Sequence, residues 1–300
     1  MNAIIESLFS TDGAFIVKDF SMLAYFALAI FLFWIATAVQ NLLAKHHLQE
    51  ELTKKDNKAI AVSFSAYLLS VALIQLTIMG SESEVQDSSN YKEFLVQDLL
   101  STFVWTLIGI VMLQIARIIN EKYMLFAFCT DKELIEDRNV GTGLVQAGSF
   151  IGSALIIRAS LSGDTSFTFT ESLFLVLLYF FITQLILVFF GRIYQKICGY
   201  DLHKEIEKDN LAAGLSFGGA IIGISISISG YIMNYNSIFG LFVWFIISSI
   251  ILFIGRFLID RLILPSAKIK DEIVIDQNWG VSAIEAIGFI GLALVMNALL

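Results

Sequence analysis

NVGTGLVQAGSFIGSALIIRASLSG, residues 139–163, follows the charged segment IEDR and carries a single ionisable side chain, Arg158. A bilayer core about 30 Å thick is crossed by about 20 predominantly apolar residues in a helix. The stretch meets that length. It is too long for a strand, and a membrane barrel would show short segments of alternating polarity instead. Residues 139–163 therefore read as a transmembrane helix that starts at Asn139 and is lined with glycine, alanine and serine.

Seven further segments read the same way: roughly 21–40, 59–79, 96–117, 171–192, 211–233, 237–256 and 279–300, which with 140–162 make eight. The composition agrees, with 57% hydrophobic and 15% charged residues and a mean hydropathy of +0.78. Soluble domains run at about 45–50% apolar and about 25% charged. The expected fold is all-α, a polytopic membrane protein surrounded by the lipid bilayer. A net charge of −8 excludes nucleic acid as a partner, because phosphates demand a basic surface. Glu6, Asp12, Lys18 and Asp19 are unlike the basic start of a cleaved signal peptide, so the N-terminus is expected to be retained.

Charge placement sets an orientation. The loops after the first, third, fifth and seventh helices hold Lys45, Lys54, Lys55 and Lys58; Arg117, Lys122, Lys132 and Arg138; Arg192, Lys196, Lys204 and Lys208; and Arg256, Arg261, Lys268 and Lys270. These are 16 of the 19 Lys and Arg residues. The positive-inside rule places those loops in the cytoplasm and both termini outside. The acidic excess then lies outside, in Glu6, Asp12, Asp19, Glu82, Glu84, Asp87, Glu93, Asp98, Asp164 and Glu171. It either focuses cations towards an entrance or simply solvates external loops. Cys129 and Cys198 fall on the cytoplasmic side, where free thiols are expected.

The chain repeats. Each even-numbered helix starts at an Asn that closes a charged segment: Asn57, Asn139, Asn210 and Asn278. Small residues follow each one, and the odd-numbered helices end at Gln40, Arg117, Arg192 and Arg256. The spacings from these to the Asn are 17, 22, 18 and 22, and the interval from Arg117 to Arg256 equals that from Asn139 to Asn278. Copies one and three match, as do two and four. Two tandem halves follow, 1–165 and 166–300, each of four helices in two hairpins. An even number of spans per half makes them parallel repeats.

With NLAAGLSFGGAIIGISISISG (210–230) beside residues 139–163, the chain resembles the bacterial membrane family called domain of unknown function 350, as two family domains in tandem. The first copy, KAIAVSFSAYLLS, lacks the glycines, and the last carries Glu285 between Gly280 and Gly288. The resemblance implies a bacterial inner-membrane protein. It brings no activity, cofactor or catalytic residue, and it hints at envelope-stress and polyamine-type gene neighbourhoods.

The recurring residues have structural and functional readings. Each Asn can cap its helix, or the four together can ring an anion or a partner's carboxylate around a common axis. Small residues four apart, such as Gly148 and Gly152 or Gly219 and Gly223, allow close helix approach or line a pore. They predict even helices inside and Phe- and Leu-rich odd helices against lipid. Glu285 lies about 10 Å into its helix, with Gln146 at the equivalent place, and a carboxyl there is either protonated and bonded to Gln146 or a carbonyl, or binds a cation. Arg158, near the outer interface, either snorkels or pairs with Asp98. His46 and His47, with Glu50 and Glu51 one turn later and His203 in the matching loop of the second half, read as solvated loop residues; the metal alternative needs a defined ligand set.

Without a nucleophile–base pair, metal motif or cofactor fingerprint, no enzyme and no cofactor is expected. The leading expectation is passage or gating of a small solute or cation, with Glu285, Gln146, Arg158 and Asp98 on the pathway. The rival is a scaffold or envelope-stress component that docks a cytoplasmic protein. A homo-oligomer is compatible with either.

Overall fold

The computed structural model describes residues 13–44, 47–79, 91–162, 167–235, 237–265 and 267–300. Among them every regular element is helical: α1 Gly13–Leu43, α2 Leu48–Thr53, α3 Lys58–Met79, α4 Tyr91–Tyr123, α5 Thr130–Ile135, α6 Val140–Leu161, α7 Phe169–Ile197, α8 Leu202–Glu207, α9 Leu211–Asn234, α10 Ile238–Leu258, α11 Ile269–Val274 and α12 Trp279–Asn297. A π-helical turn, Ile259–Ile263, continues α10. Eight of these helices are long and apolar enough to cross a membrane, the number that hydropathy gives. Glu6, Asp12, Glu82, Glu84, Asp87, Asp164 and His46 lie outside the described residues.

The four short helices α2, α5, α8 and α11 stand between the arms of the four hairpins. Each is followed by a residue with left-handed backbone, Asp56 (φ 48°), Arg138 (φ 52°), Asp209 (φ 61°) and Gln277 (φ 47°), and then at once by the asparagine. Aspartate tolerates that conformation, but it is uncommon for Arg and Gln. A sharp reversal is thus imposed at the same point in every copy, and the next membrane helix begins there.

The even-numbered membrane helices α3, α6, α9 and α12 pack side by side in that order. Each adjacent pair meets through small residues. A Cβ on Gly143 would lie 2.5 Å from the Ala59 carbonyl oxygen, and one on Gly148 would lie 2.6 Å from that of Gly218. On Gly223 it would lie 2.9 Å from the Phe289 carbonyl. The glycines are therefore required for backbone-to-backbone contact, which substitutes for a hydrophobic driving force that is absent in lipid. The odd helices form an outer layer, with α4 on α3 and α6, α7 on α6 and α9, and α10 on α9 and α12. Helix α1 packs on α3 and α4.

The inner and outer assignment needs one correction. Helices α6 and α9 are inner as expected, but only 33% of the α12 span is buried against 83% for α9. The inner helices form an open row, and α12 is its end.

Candidate functional site

Each hairpin bend is built on an asparagine and a glutamate. The Asn side-chain oxygen accepts from the third amide of the following helix: Asn57 from Ile60 at 3.2 Å, Asn139 from Thr142 at 2.8 Å, Asn210 from Ala213 at 3.1 Å and Asn278 from Val281 at 3.2 Å. This is capping, which meets the unpaired amides of the first turn. The Asn Nδ2 donates to a carboxylate of the preceding short helix: Glu51 at 3.2 Å, Glu133 at 2.8 Å, Glu205 at 3.1 Å and Glu272 at 2.8 Å. The Asn backbone N–H donates to the carbonyl of that same glutamate.

A third bond links one hairpin to the next. Asn57 Nδ2 donates to the Leu134 carbonyl at 2.8 Å, Asn139 to that of Ile206 at 2.6 Å and Asn210 to that of Ile273 at 2.8 Å. These bonds bring the four bends to one end of the molecule. They run along a row, so the asparagines do not ring a common axis. Asn57, Asn139 and Asn210 are buried, whereas Asn278 is exposed.

Glu285 has no solvent exposure. Its Oε1 accepts from Arg256 Nε and, at 3.3 Å, from Tyr194 Oη. Its Oε2 accepts from Ser216 Oγ at 2.6 Å. The expected bond to Gln146 or a carbonyl is replaced by an ion pair, because Arg256 reaches it from α10. Tyr194 and Ser216 complete the set, their hydroxyls 2.6 Å apart. A carboxylate with both oxygens filled by donors and a guanidinium is neutralised in place, as a charge inside a membrane protein must be.

The first half carries the counterpart. Gln146 stands where Glu285 does, Arg117 where Arg256 does, and Glu121 where Asp260 does, each pair set apart by the interval that separates Asn139 from Asn278. Gln146 Nε2 donates to Glu121 Oε1 at 2.8 Å, Ser63 Oγ donates to Gln146, and Arg117 lies 3.6 Å from Glu121. A cavity of about 10 Å³ beside them is lined by Arg117, Asn120, Glu121, Gln146 and Ser149, room for about one water at most.

Arg158 and Asp98 are not brought together. Asp98 accepts from Tyr25 Oη, and the buried Nε of Arg158 has no hydrogen-bond partner. Nor does His203 sit in a solvated loop. It is buried, bonded to Gln195 at 3.1 Å and to the Met124 carbonyl at 2.8 Å, with Phe126 against its ring. Burial pushes the neighbouring Cys198 thiol above its usual pKa and raises the Tyr200 phenol well above its own. It raises the Glu133 carboxyl too, against the opposing pull of the Asn139 amide.

The pairing of each asparagine with a glutamate, and of Arg256 with Glu285, is not among the sequence expectations. The glutamates leave a trace, since Glu51, Glu133 and Glu272 precede their asparagines by one common step and Glu205 by a step one position shorter.

Two matches to one family description, Domain of Unknown Function (DUF350), cover residues 12–161 and 168–300. The chain belongs to the DUF350 family. It carries two DUF350 domains in tandem, and the α6–α9 contact joins them. Among its relatives is the UPF0719 transmembrane protein YshE of Bacillus subtilis (strain 168), 32% identical over 120 residues, 40% of this chain and 88% of that protein. A UPF0719 transmembrane protein of Aquifex aeolicus (strain VF5) is 23% identical over 260 residues, 84% of this chain and 90% of that one. No solved structure matches.

Proposed function

We propose that this DUF350 protein is a bacterial inner-membrane scaffold, with both termini outside, its four bends in the cytoplasm, and no chemistry of its own. The observation that carries this reading is the dry packing of the inner row. Gly143, Gly148 and Gly223 leave no room for a Cβ between adjacent helices, and both oxygens of Glu285 are already engaged. The row is built as a rigid platform.

The platform offers its cytoplasmic partner the tips of the bends. Lys54, Lys55 and Asp56, then Glu136, Asp137 and Arg138, then Glu207, Lys208 and Asp209 are all exposed. Both signs of charge recur along one line, which favours a protein surface of mixed charge over a polyanion or a bare lipid headgroup.

A second reading, cation passage, is favoured by the matched polar clusters at Gln146 and Glu285. One experiment separates the two. Flux of protons, monovalent cations and a polyamine is measured into vesicles containing folded, inserted protein. The scaffold reading expects flux no greater than in protein-free vesicles. Protein-dependent flux that changes with Glu285→Gln would replace it with transport.

A further inference from the structure

We infer that the row of inner helices continues from one molecule to the next, with α12 of one copy docking on α3 of a second copy of this chain. Three junctions within the molecule, α3–α6, α6–α9 and α9–α12, use the same pair of helix faces. On the leading face, Ala59 and Gly141 sit at one offset from the capping Asn, and Gly148 and Gly219 at another. On the trailing face of the next helix, Gly143 and Gly214 meet the first pair, and Gly218 and Ala286 meet the second. The molecule ends with one face of each kind unused.

On α12 the leading positions are Gly280, Ile287 and Gly291. A Cβ on Gly291 would meet nothing within 4 Å, and Ile287 is 65% exposed. On α3 the trailing positions are Ala61, Ser65, Ala72 and Leu76, none of them buried. Lipid accounts for exposed apolar side chains here, but it does not account for the polar ends. Asn278 is the one asparagine of the four with no carbonyl from a following hairpin. At the other end, the Leu52 carbonyl occupies the place of the Leu134, Ile206 and Ile273 carbonyls, and among the described residues no asparagine donates to it. Asn278 of one copy and Leu52 of the next are therefore donor and acceptor for the bond that the three internal junctions make.

The outer layer has the same gap. Helices α4, α7 and α10 each straddle two inner helices, whereas α1 rests on a single one, α3. An incoming α12 supplies the second. The junction between the two DUF350 domains also points this way. YshE is matched over 88% of its length by 120 residues, so a chain of one domain's length has no second domain of its own to form that junction. A contact between unlike faces does not stop at a two-fold dimer; it propagates as a ring or an open row.

Disulfide cross-linking in native membranes tests the inference. Ser65→Cys and Ile287→Cys are placed on separately tagged copies, both with Cys129→Ser, and co-expressed. The two sites correspond to Gly218 and Gly148, whose backbones touch; the larger Ser65 and Ile287 set this junction wider than the glycine pair, into the range that a disulfide spans. The expected result is a cross-link between the two tags, with neither variant cross-linking to itself. Gly291→Trp should abolish it while leaving the melting temperature of the detergent-solubilised monomer unchanged, since that position is open in the single molecule. Self-cross-linking of either variant, no cross-link between tags, a link formed within one chain by the double variant, or persistence with Gly291→Trp would each overturn the inference.

Discussion

Arg256 donates its Nε to Glu285 across the α10–α12 contact, onto a carboxylate that solvent does not reach. The pair sits at the π-helical end of α10, whose Asp260 accepts from the Ile269 amide at 2.9 Å. One junction thus fixes the outer helix, the short helix α11 and the inner helix α12 together.

Breaking that pair from one side strands a buried charge. Arg256→Met is expected to destabilise the protein by about 3–5 kcal/mol, the cost of an uncompensated buried ion. Adding Glu285→Gln should recover most of the loss, because the second change removes the stranded charge and keeps an acceptor for Ser216. Thermal unfolding in detergent measures both; equal destabilisation by the single and double variants would contradict the ion-pair account.

The four asparagines are not equivalent, and the order of their contributions follows from the row. Asn139 caps α6, holds Glu133 and reaches the Ile206 carbonyl from a fully buried position. Asn139→Ala is expected to cost about 1 kcal/mol for the cap and about 1–3 kcal/mol more for the stranded buried acceptors. Asn278→Ala should cost about 1 kcal/mol in the isolated monomer, since its surroundings are exposed. Unfolding midpoints of the two solubilised variants check the ranking.

Glu133 gives a pH dependence whose sign follows from its burial. Its folded-state pKa is raised, first by burial, so the folded protein holds the proton more tightly than the unfolded chain. That contribution is fully present below the unfolded carboxyl pKa and is lost as pH rises through the folded value. Glu133→Gln keeps an oxygen for the Asn139 amide and cannot ionise. Relative to wild type it should therefore gain stability as pH rises from the acid side of the carboxyl range towards neutrality. Unfolding of both proteins across that range shows the difference, and a constant gap would refute it.

The two thiols report burial and sidedness together. Cys129 is exposed and Cys198 buried, the latter's Sγ lying 3.3 Å from the Gln195 carbonyl and 3.2 Å from that of Tyr200. Burial also raises the Cys198 pKa, which lowers its reactive thiolate fraction. A charged maleimide should label Cys129 in inverted membrane vesicles but not in intact spheroplasts, and Cys198 only after unfolding. Labelling of Cys129 from the spheroplast side would reverse the orientation proposed above.

Much of this is legible in the sequence. Membrane spans announce themselves by length and apolarity, and the Asn with its following glycines marks where each inner helix starts and how closely it packs. Lateral neighbours are another matter. Glu285 has no basic residue in its own helix, so its partner Arg256, upstream in a different helix, leaves no periodic signal. Arg158 and Asp98 share a depth, but depth does not decide which helices are adjacent. The Glu–Asn pairs were hidden by the shorter third copy, and repetition alone does not distinguish a row from a ring.

Two glycines at the same offset in successive domains give the sharpest packing contrast. Gly152 lies between α6 and α9, where a Cβ meets Ser225 Oγ at 2.5 Å and Ile221 at 3.3 Å, whereas Gly291 faces open space. A β-branched side chain at Gly152 must displace Ser225 and Ile221 between the helices that join the two domains, and overpacking of this kind costs about 1–3 kcal/mol. At Gly291 an alanine meets no obstacle, and replacing a helical glycine removes an unfavourable residue worth about 1 kcal/mol in a soluble helix. Gly152→Val should thus lower the unfolding temperature of the solubilised protein while Gly291→Ala leaves it unchanged or raises it. Equal effects would mean that α12 is as enclosed as α6 and that the row is closed within one molecule.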